Sequence, residues 1–411
     1  MFNDISQTII YISLFFSLYF EVFLLITYFE KRPLLRQESI QQDLARFPTV
    51  TVIVPCFNEE TTIPKTIFSL LRLDYPKDKL DIIIVDDGSV DGTLRALHRF
   101  KNNSRVRVYS KPNGGKHTAL NYGLQYVESE LVGCLDADSF VEPGTLKTIL
   151  KYFNDSETMA VTPAVRVYKP RTVIELIQKV EYTWGIFYRK MLHFLGAIFV
   201  TPGPFTIYRT EVFRKIGDYR HAHLTEDLEL ALRMQTNRLK IVNAHNAYVH
   251  TVVPKTLRSL YKQRLRWTYG FLNNSLDYKF LIFNKRYGNI GFYVLPMAII
   301  SIFSSILLLL ILTSTNIARA YDGLIKFITV GPDLGFSFDW FFVHTSPSLF
   351  LTVFSVGLIV SILVLARRMT EGRFHFSLDL FYFLFLYGLI VPFWISHALF
   401  NTVFSRKTTW R

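Results

Sequence analysis

Four short groups of polar residues carry most of the chemistry that this sequence offers. They are Asp86-Asp87-Gly88-Ser89, Asp136-Ala137-Asp138, Thr225-Glu226-Asp227 and Gln263-Arg264-Leu265-Arg266-Trp267. In the second group one residue separates two carboxylates, and an extended backbone places both on the same face. Their hard oxygen ligands suit Mg²⁺ or Mn²⁺ bound to a diphosphate rather than zinc. An isolated acidic pair is more often a solvated turn or a cap, so its position in the fold decides its meaning.

The region around these groups alternates between short apolar runs and helical stretches. We predict strands at residues 50–54, 80–85, 106–109 and 131–135, separated by helices at 62–72, 91–100 and 116–127. Nearly continuous apolar strands that alternate with helices predict an α/β domain with a parallel sheet covered on both faces. Ligands bind at the carboxyl ends of such strands. Polar residues follow three of these strands, at 55–60, 86–89 and 136–138.

Each group also has a structural interpretation that the residues alone leave open. The segment from Asp86 to Ser89 can form a strand-ending turn whose serine caps the next helix, or it can bind a nucleoside. Lys116 either begins a helix after a glycine pair or approaches a phosphate. Glu226 and Asp227 suit the first turn of any helix. The sequence contains no G-x-G-x-x-G or Walker A loop, which argues against a dinucleotide oxidoreductase or a P-loop NTPase.

The composition places part of the chain in a lipid bilayer. Of its 411 residues 50% are hydrophobic, and the mean hydropathy of +0.23 is unusual for a soluble domain. Four apolar runs are long enough to cross a hydrocarbon core of about 30 Å, at residues 8–29, 291–313, 347–366 and 380–404. We expect a retained anchor at residues 1–30, a cytoplasmic domain at 31–285 and a C-terminal region at 286–411 with about three spans.

Basic residues that flank the apolar runs predict the orientation of the chain. They follow the first run and separate the third from the fourth, so both segments belong in the cytoplasm and the N-terminus outside. These residues are Lys31, Arg32, Arg36, Arg367, Arg368 and Arg373. A simple fourth crossing would put Arg406, Lys407 and Arg411 outside, so a break or a re-entrant turn near Pro392 is an alternative. Glu21, inside the first run, is either a structural partner of another helix or part of a conduit.

The charge balance predicts anionic partners. The chain has 46 Lys and Arg against 33 Asp and Glu, a net charge of +13, which suits nucleotides, diphosphates or acidic lipid headgroups. We expect no nucleic-acid partner, because no binding motif is present and the cations flank the apolar runs. The two cysteines, Cys56 and Cys134, are too few for a disulfide scaffold and are compatible with a reducing compartment.

In their order and spacing, the four groups resemble those of the processive family 2 glycosyltransferases. These membrane enzymes include the poly-β-1,6-N-acetylglucosamine, chitin, hyaluronan and cellulose synthases. The likeness extends over nearly the whole chain, with one apolar run before the catalytic domain and several after it. It implies a GT-A fold, which is a Rossmann-like α/β domain that binds nucleotide sugars, inserted here between transmembrane α-helices. It also implies a Mg²⁺ or Mn²⁺ cofactor, and interfacial helices near residues 172–196 and 255–280.

The resemblance implies a role in donor binding for five residues. Asp86 and Asp87 would contact the nucleoside. Lys116 would contact the diphosphate of a UDP-sugar. Asp138 would bind the metal, with Asp136 assisting beside the uridine diphosphate.

The resemblance also implies how the acceptor is activated and held. Asp227 would be the catalytic base, with Glu226 beside it, and Thr225 would belong to the acceptor side. The last group would close over the donor diphosphate and the acceptor sugar through Gln263, Arg264, Arg266 and Trp267. Residues 201–205 occupy the place of a family loop near the acceptor, although Pro204 departs from the commoner pattern.

We therefore expect an inverting enzyme of the plasma membrane that polymerises a β-linked polysaccharide, with UDP-N-acetylglucosamine as the favoured donor. The acceptor would be the growing glycan or a lipid, and a need for a small accessory subunit stays open. One alternative is a non-processive enzyme that transfers a single sugar to a lipid acceptor. The group at residues 263–267 favours the polymerase, since family members without it generally transfer a single sugar. A non-catalytic transporter or scaffold is a further alternative, against which the dense acidic motifs argue.

Overall fold

An eight-stranded sheet lies at the centre of the segment that follows the first hydrophobic helix. The computed structural model describes residues 2–38, 44, 46–331, 346–372 and 377–406, so Arg373, Lys407 and Arg411 lie outside the described residues. The strands are β1 Val50–Cys56, β2 Leu80–Asp86, β3 Val106–Ser110, β4 Leu131–Cys134, β5 Ser139–Val141, β6 Thr158–Val167, β7 Thr206–Arg209 and β8 Lys240–Thr251. Their order across the sheet is β3-β2-β1-β4-β7-β6-β8-β5.

The predicted parallel pairing is present throughout one half of the sheet, whereas the other half is mixed, with β6 and β8 in parallel. Strands β1 to β4 pair in parallel, at the four predicted positions. Strand β7 is antiparallel to both of its neighbours, and β5 is antiparallel to β8. The strict alternation of strands and helices, on which the prediction rested, ends after β4. Beyond that point no regular helical crossover dictates the direction of each strand.

Helices cover both faces of the sheet, as predicted. They are α2 Ile63–Leu71, α3 Thr93–His98, α4 Lys116–Leu124, α5 Thr145–Leu150, α7 Glu211–Ile216 and α8 Glu226–Thr236. Successive residues of a strand point to opposite faces, so Ile82 packs with Ile67 of α2 in one core. Ile83 packs with Leu120 of α4 in the other core. The second core also contains the α8 residue Leu230, which fixes the start of α8 beside the sheet.

Seven further α-helices occur in the described chain, and all but α12, which has five residues, are long. They are α1 Phe2–Glu38, α6 Val173–Phe194, α9 Leu257–Asp277, α10 Leu295–Val330, α11 Pro347–Glu371, α12 Leu378–Tyr382 and α13 Gly388–Val403. Four helical segments are long and apolar enough to cross a membrane, namely Ile5–Glu38, Ile290–Val330, Pro347–Glu371 and Leu378–Val403. Each of them contains most of one predicted apolar run. Helix α10 continues past the predicted end at residue 313, because the polar residues that follow end the hydropathy signal without breaking the helix.

The last hydrophobic segment is one continuous helical rod. A π-helical turn, Phe383–Tyr387, joins α12 to α13. Pro392 lies inside α13, so the break that we considered there does not occur. We call Leu378–Val403 the terminal rod.

Two polar clusters attach α1 to the rest of the molecule. At its end, the Oε2 of Glu38 lies 2.6 Å from the Nζ of Lys190, which also donates to the carbonyl of Asn243 at 3.1 Å. Lys190 is fully buried, so this pair joins α1 to α6 and to the sheet. Further along α1, Glu21 accepts a hydrogen bond from Ser355 of α11 at 2.9 Å. This contact supports the structural interpretation of Glu21.

Candidate active site

The four groups of polar residues meet at one cavity of about 850 Å³. The cavity lies beyond the carboxyl ends of β1 and β4, where α8 begins and α9 passes. Asp138, Asp227 and Trp267 all contribute to its wall. Its volume is in the upper part of the range that is usual for small-molecule sites, about 300–1,000 Å³. The predicted convergence of distant motifs is therefore present in the structure.

The two aspartates after β2 differ in their surroundings. Asp87 lines the cavity and accepts hydrogen bonds from the backbone N–H groups of Gly114 at 3.1 Å and Gly115 at 2.8 Å. Asp86 is fully buried, accepts hydrogen bonds from Ser110 and from the backbone of Ser89, and is not part of the cavity wall. For Asp86 the structure therefore supports the strand-ending turn rather than direct contact with a ligand.

The turn after β2 differs in detail from its structural interpretation. The hydroxyl of Ser89 accepts a hydrogen bond from the backbone of Asn58 at 2.9 Å and does not cap α3. Gly88 has a φ of +76°, and a Cβ at this position would lie 2.8 Å from the backbone nitrogen of Asn113. Only glycine therefore lets the loop at residues 113–115 pack against this turn.

Lys116 joins two of the acidic groups. It follows Gly115, which has a φ of +90°, and it begins α4. Its Nζ lies 2.7 Å from Asp136 and 3.0 Å from Glu226. Burial lowers the pKa of Lys116, but these two carboxylates outweigh burial and hold the pKa well above its usual value. Lys116 is thus a fixed cation on the wall of the cavity.

Asp138 has the surroundings expected of a ligand for a hard cation. Burial, then repulsion by Asp136 and Glu59, raises the pKa of Asp138 to about 7. Its Oδ1 accepts a hydrogen bond from Ser139 at 3.1 Å. Within the described residues, no group of three or more His, Cys, Asp or Glu side chains forms a metal cage. A pair of carboxylates at an open cavity fits Mg²⁺ or Mn²⁺, which take one or two carboxylates and complete their shell with phosphates and water.

Glu226 and Asp227 open α8, and the structure gives them different proton affinities. Burial raises the pKa of Glu226, but the ion pair with Lys116 outweighs burial and leaves that pKa below its usual value. Burial, then repulsion by Glu226, raises the pKa of Asp227 to about 6, despite a hydrogen bond from the backbone of Leu228 at 2.9 Å. Two adjacent carboxylates with separated pKa values suit different roles, and the raised pKa of Asp227 suits proton transfer near neutral pH.

The group on α9 surrounds a buried arginine. The guanidinium of Arg264 donates to Glu181 of α6 and to the side-chain oxygen of Gln263, both at 2.5 Å. It also stacks over the ring of Trp267 at 4.3 Å from the centroid. Arg264 therefore holds Gln263 and Trp267 in place, while all three line the cavity.

Helix α9 packs directly against the start of α8. Arg266 donates to the backbone oxygen of Leu224 at 3.3 Å. Thr225 accepts a hydrogen bond from Asn274 at 2.9 Å. A Cβ on Gly270 would lie 2.3 Å from the hydroxyl of Thr225, so only glycine permits this contact. The two motifs thus form one unit although the chain separates them.

Sequence reasoning placed residues 201–205 in a loop near the acceptor without singling out Gly203, and it missed several other residues of the cavity wall. Gly203 approaches so closely that a Cβ there would lie 2.7 Å from both Asp136 and Lys116. Side chains of α6 and of the terminal rod also line the cavity, among them Tyr182, Trp184, Arg189, Tyr387 and Trp394. Their only signal in the sequence was helical spacing, which is equally typical of a core or of a membrane surface.

Comparison with a family model and with curated relatives identifies the central domain. The family model described as glycosyl transferase family 2 matches residues 51–217. A poly-β-1,6-N-acetyl-D-glucosamine synthase of Staphylococcus epidermidis is 29% identical over 270 residues, which are 65% of this chain and 65% of the relative. The synthase of the same description from Staphylococcus aureus strain COL is 32% identical over 224 residues, 54% of each chain. The matches thus span less than two thirds of these relatives.

Comparison with solved structures shows the fold. The structure described as mannosyltransferase PcManGT from Pyrobaculum calidifontis in complex with GDP-Man and Mn²⁺ aligns with a TM-score of 0.61 and 16% sequence identity. The alignment covers 96% of this chain and 99% of that chain. The predicted fold class, a GT-A domain combined with long hydrophobic helices, is confirmed.

Proposed function

We propose that this chain is a family 2 glycosyltransferase, membrane-embedded and inverting, that polymerises a β-linked polysaccharide from UDP-N-acetylglucosamine. One observation carries the proposal: a carboxylate with a raised pKa, a fixed lysine and an aromatic–arginine group line a single cavity. The names of the relatives, which are N-acetylglucosamine polymer synthases, support the choice of sugar and product.

The geometry supports a single displacement. The acceptor hydroxyl gives its proton to Asp227 as its oxygen forms a bond to the anomeric carbon of the donor. The bond from that carbon to the diphosphate oxygen breaks at the same time, which inverts the configuration. The charge that develops on the leaving diphosphate is stabilised by Lys116 and Arg266. Asp138 and Asp136 would hold a divalent cation, which supplies further charge neutralisation at the diphosphate when bound.

The membrane side of the cavity favours a second candidate function. Its wall there includes Ile302 of α10 together with Val391 and Ile395 of the terminal rod. Apolar side chains from two hydrophobic helices suit the hydrocarbon part of a lipid acceptor, so transfer of a single sugar to a lipid is the alternative. The Gln263–Trp267 group favours the polymerase. A transporter or scaffold remains the third candidate.

One experiment separates these candidates. Membranes that contain the protein are incubated with labelled UDP-sugars and Mg²⁺ or Mn²⁺, and the products are resolved by gel and by solvent extraction. We expect long products from UDP-N-acetylglucosamine. A single labelled lipid would reject polymerisation. If neither product forms, and the purified protein does not hydrolyse any UDP-sugar, the chain is not a transferase.

The close approach of Gly203 gives a test of the diphosphate site. A methyl group at this position displaces the Lys116–Asp136 pair, because the Nζ of Lys116 and the Oδ1 of Asp136 would each lie 2.7 Å from it. A displacement of this size at a catalytic group costs about 10- to 100-fold in rate. We expect Gly203→Ala to lower kcat/KM for UDP-N-acetylglucosamine by this factor, measured as UDP release. The control is Gly144→Ala, since a Cβ at Gly144 meets nothing within 4 Å; equal activity of the two variants would contradict the proposed site.

We propose that the catalytic domain faces the cytoplasm of a multi-pass plasma-membrane protein and that α6 and α9 lie at the membrane surface. Large apolar side chains are exposed along α1, α10 and α11, as lipid-facing helices require. The basic flanks of α1 and α11 favour this orientation. The N-terminus is then outside.

Each end of the terminal rod contacts a helix that lines the cavity, α6 at its start and α9 at its end. Near its start, Asp379 lies 2.6 Å from Arg367 and 3.4 Å from Lys179 of α6. Near its end, Thr402 accepts a hydrogen bond from Asn273 of α9 at 3.1 Å. We therefore propose that the rod lies in the cytoplasmic surface of the membrane and does not cross it, which keeps Arg406 on the cytoplasmic side.

This topology has a direct test. A fluorescent protein fused to the C-terminus is expected to fluoresce in a bacterial host, and alkaline phosphatase fused there is expected to stay inactive. The same reporters fused after Gly331, which follows α10, should give the reverse pattern. Active phosphatase at the C-terminus would show that the rod crosses the membrane.

A further inference from the structure

Helix α6 presents one face to the catalytic cavity. Glu181, Gly185 and Arg189 recur at intervals of four residues, so they lie on one stripe of the helix, and all three line the cavity. The opposite face is buried, since Phe187 and Met191 pack with residues of α1 and α11. Helix α6 is therefore held from behind while this stripe faces the reactants.

Arg189 differs from the four buried Lys and Arg side chains of the described chain. Lys190, Arg233, Arg264 and Arg367 each hold at least one carboxylate or carbonyl oxygen. Arg189 makes no hydrogen bond or ion pair within the part of the chain that the structure describes, although five N–H donors are available on its guanidinium. Burial lowers the pKa of Arg189 to about 10, and Tyr182 and Asp227 oppose this shift. Its charge thus lies within electrostatic range of the proposed base.

The diphosphate does not require this cation. Lys116 and Arg266 already occupy the donor side of the cavity, and Lys116 is fixed between Asp136 and Glu226. Arg189 instead shares its stripe of α6 with Glu181 and Gly185, and it lines the cavity near Tyr182 and Asp227. A guanidinium left without a partner in a partly buried site is costly unless a ligand takes its hydrogen bonds.

Gly185 leaves room on the same stripe. A Cβ at this position meets nothing within 4 Å, although the residue lies in the middle of α6. Glycine is less favourable than alanine in a helix interior. The absence of a side chain at Gly185 therefore does not stabilise the helix. A larger residue at this position would project into the cavity.

We propose that Arg189 and Gly185 form the acceptor subsite. The guanidinium of Arg189 donates hydrogen bonds to oxygen atoms of an acceptor saccharide beside Asp227, and Gly185 leaves the width that its sugar rings need. The inference rests on the proposed function, because it takes the acceptor to be the end of the growing glycan. Trp184 adds an aromatic side chain to the cavity wall.

The first test compares transfer with hydrolysis in the full-length protein. The probe is a β-1,6-linked N-acetylglucosamine oligosaccharide, offered with labelled UDP-N-acetylglucosamine. We expect Arg189→Gln to raise the KM for the oligosaccharide by about 10-fold or more, as the loss of hydrogen bonds to a charged group implies. UDP affinity and hydrolysis of the donor without acceptor should stay at the wild-type level, and Arg189→Lys should recover part of the loss. Arg214→Gln, at an exposed arginine of α7, is the matched control.

The second test reduces the width of the proposed subsite by adding a side chain at Gly185. Gly185→Phe is expected to reduce transfer to the oligosaccharide by about 100-fold, with a smaller loss for Gly185→Ala, while donor hydrolysis continues. Gly144→Phe, outside the cavity, controls for the added bulk. Continued hydrolysis also shows that each variant is folded.

The outcomes separate this inference from the proposed function. A parallel loss of UDP affinity and hydrolysis in Arg189→Gln would assign Arg189 to the donor site and overturn the inference. Unchanged oligosaccharide kinetics in both Arg189→Gln and Gly185→Phe would also overturn it. A wild-type protein that never extends the oligosaccharide but labels a lipid would overturn the polymerase itself, and the saccharide subsite with it.

Discussion

Replacing Asp227 by asparagine should lower sugar transfer by about 1,000-fold, which lies within the range that general-base catalysis contributes. Asparagine keeps the size of the side chain but cannot accept the proton of the acceptor hydroxyl. UDP should bind with unchanged affinity, because the Lys116 ion pairs with Asp136 and Glu226 do not involve Asp227. Transfer is measured as product formed, and donor binding by calorimetry with UDP. Near-normal turnover in Asp227→Asn would remove the assignment of the base.

The pH dependence supplies a second measurement on the same residue. The pKa of Asp227 is raised to about 6 by burial and by Glu226, and the base must be ionised to act. The rate should therefore rise as the pH increases through about 6 and level off above it. Asp227→Asn should lose this limb of the profile. Asp218→Asn, at an exposed aspartate of the loop before α8, should retain both the activity and the limb.

Replacing Asp138 by asparagine should have the second large effect. Loss of even an outer-shell partner of a metal ligand costs about 10- to 100-fold in metal affinity or activity, so loss of a ligand should cost at least that much. We expect the Mg²⁺ or Mn²⁺ concentration for half-maximal transfer to rise by about 10-fold or more. The affinity for UDP should fall toward the value measured with a chelator present.

The matched control for this variant is Asp78→Asn, at an aspartate in the short 3₁₀ turn before β2, away from the cavity wall. Metal titrations followed by UDP release and by calorimetry give two independent measurements. If Asp138→Asn requires no more metal than the wild-type protein, the cation is held elsewhere. Activity that persists in a chelator for both proteins would remove the divalent cofactor from the proposal.

The elements of the fold were predictable because their signals are local. The apolar runs that became β1 to β4 and the four long hydrophobic helices follow from residue spacing and run length, which packing elsewhere in the chain does not change. Acidic residues directly after β2 and β4 had to lie at the edge where those strands end. The order of the four polar groups was sufficient to indicate the family.

The direction of β7 and the role of Asp86 were not predictable in this way. Strand β7 contains only four residues, and its antiparallel pairing with β4 depends on the neighbours that the sheet provides. Asp86 and Asp87 are adjacent and chemically identical, yet one is buried under Ser110 while the other faces the cavity. Successive residues at the end of a strand point to opposite faces of the sheet, which separates the two side chains. Only the tertiary structure shows which of these faces borders the cavity.

The sequence by itself determined which residues are available for chemistry and which segments can enter a bilayer, since both depend on residue type and on near-neighbour spacing. The tertiary structure alone decided which charges are paired, and hence that Glu226 is tied to Lys116 while Asp227 keeps a raised pKa. It also brought Arg189 and Gly185 of α6, Gly203 and the terminal rod to the same cavity. Burial and charge pairing depend on atoms that are far apart along the chain, and no local pattern records them.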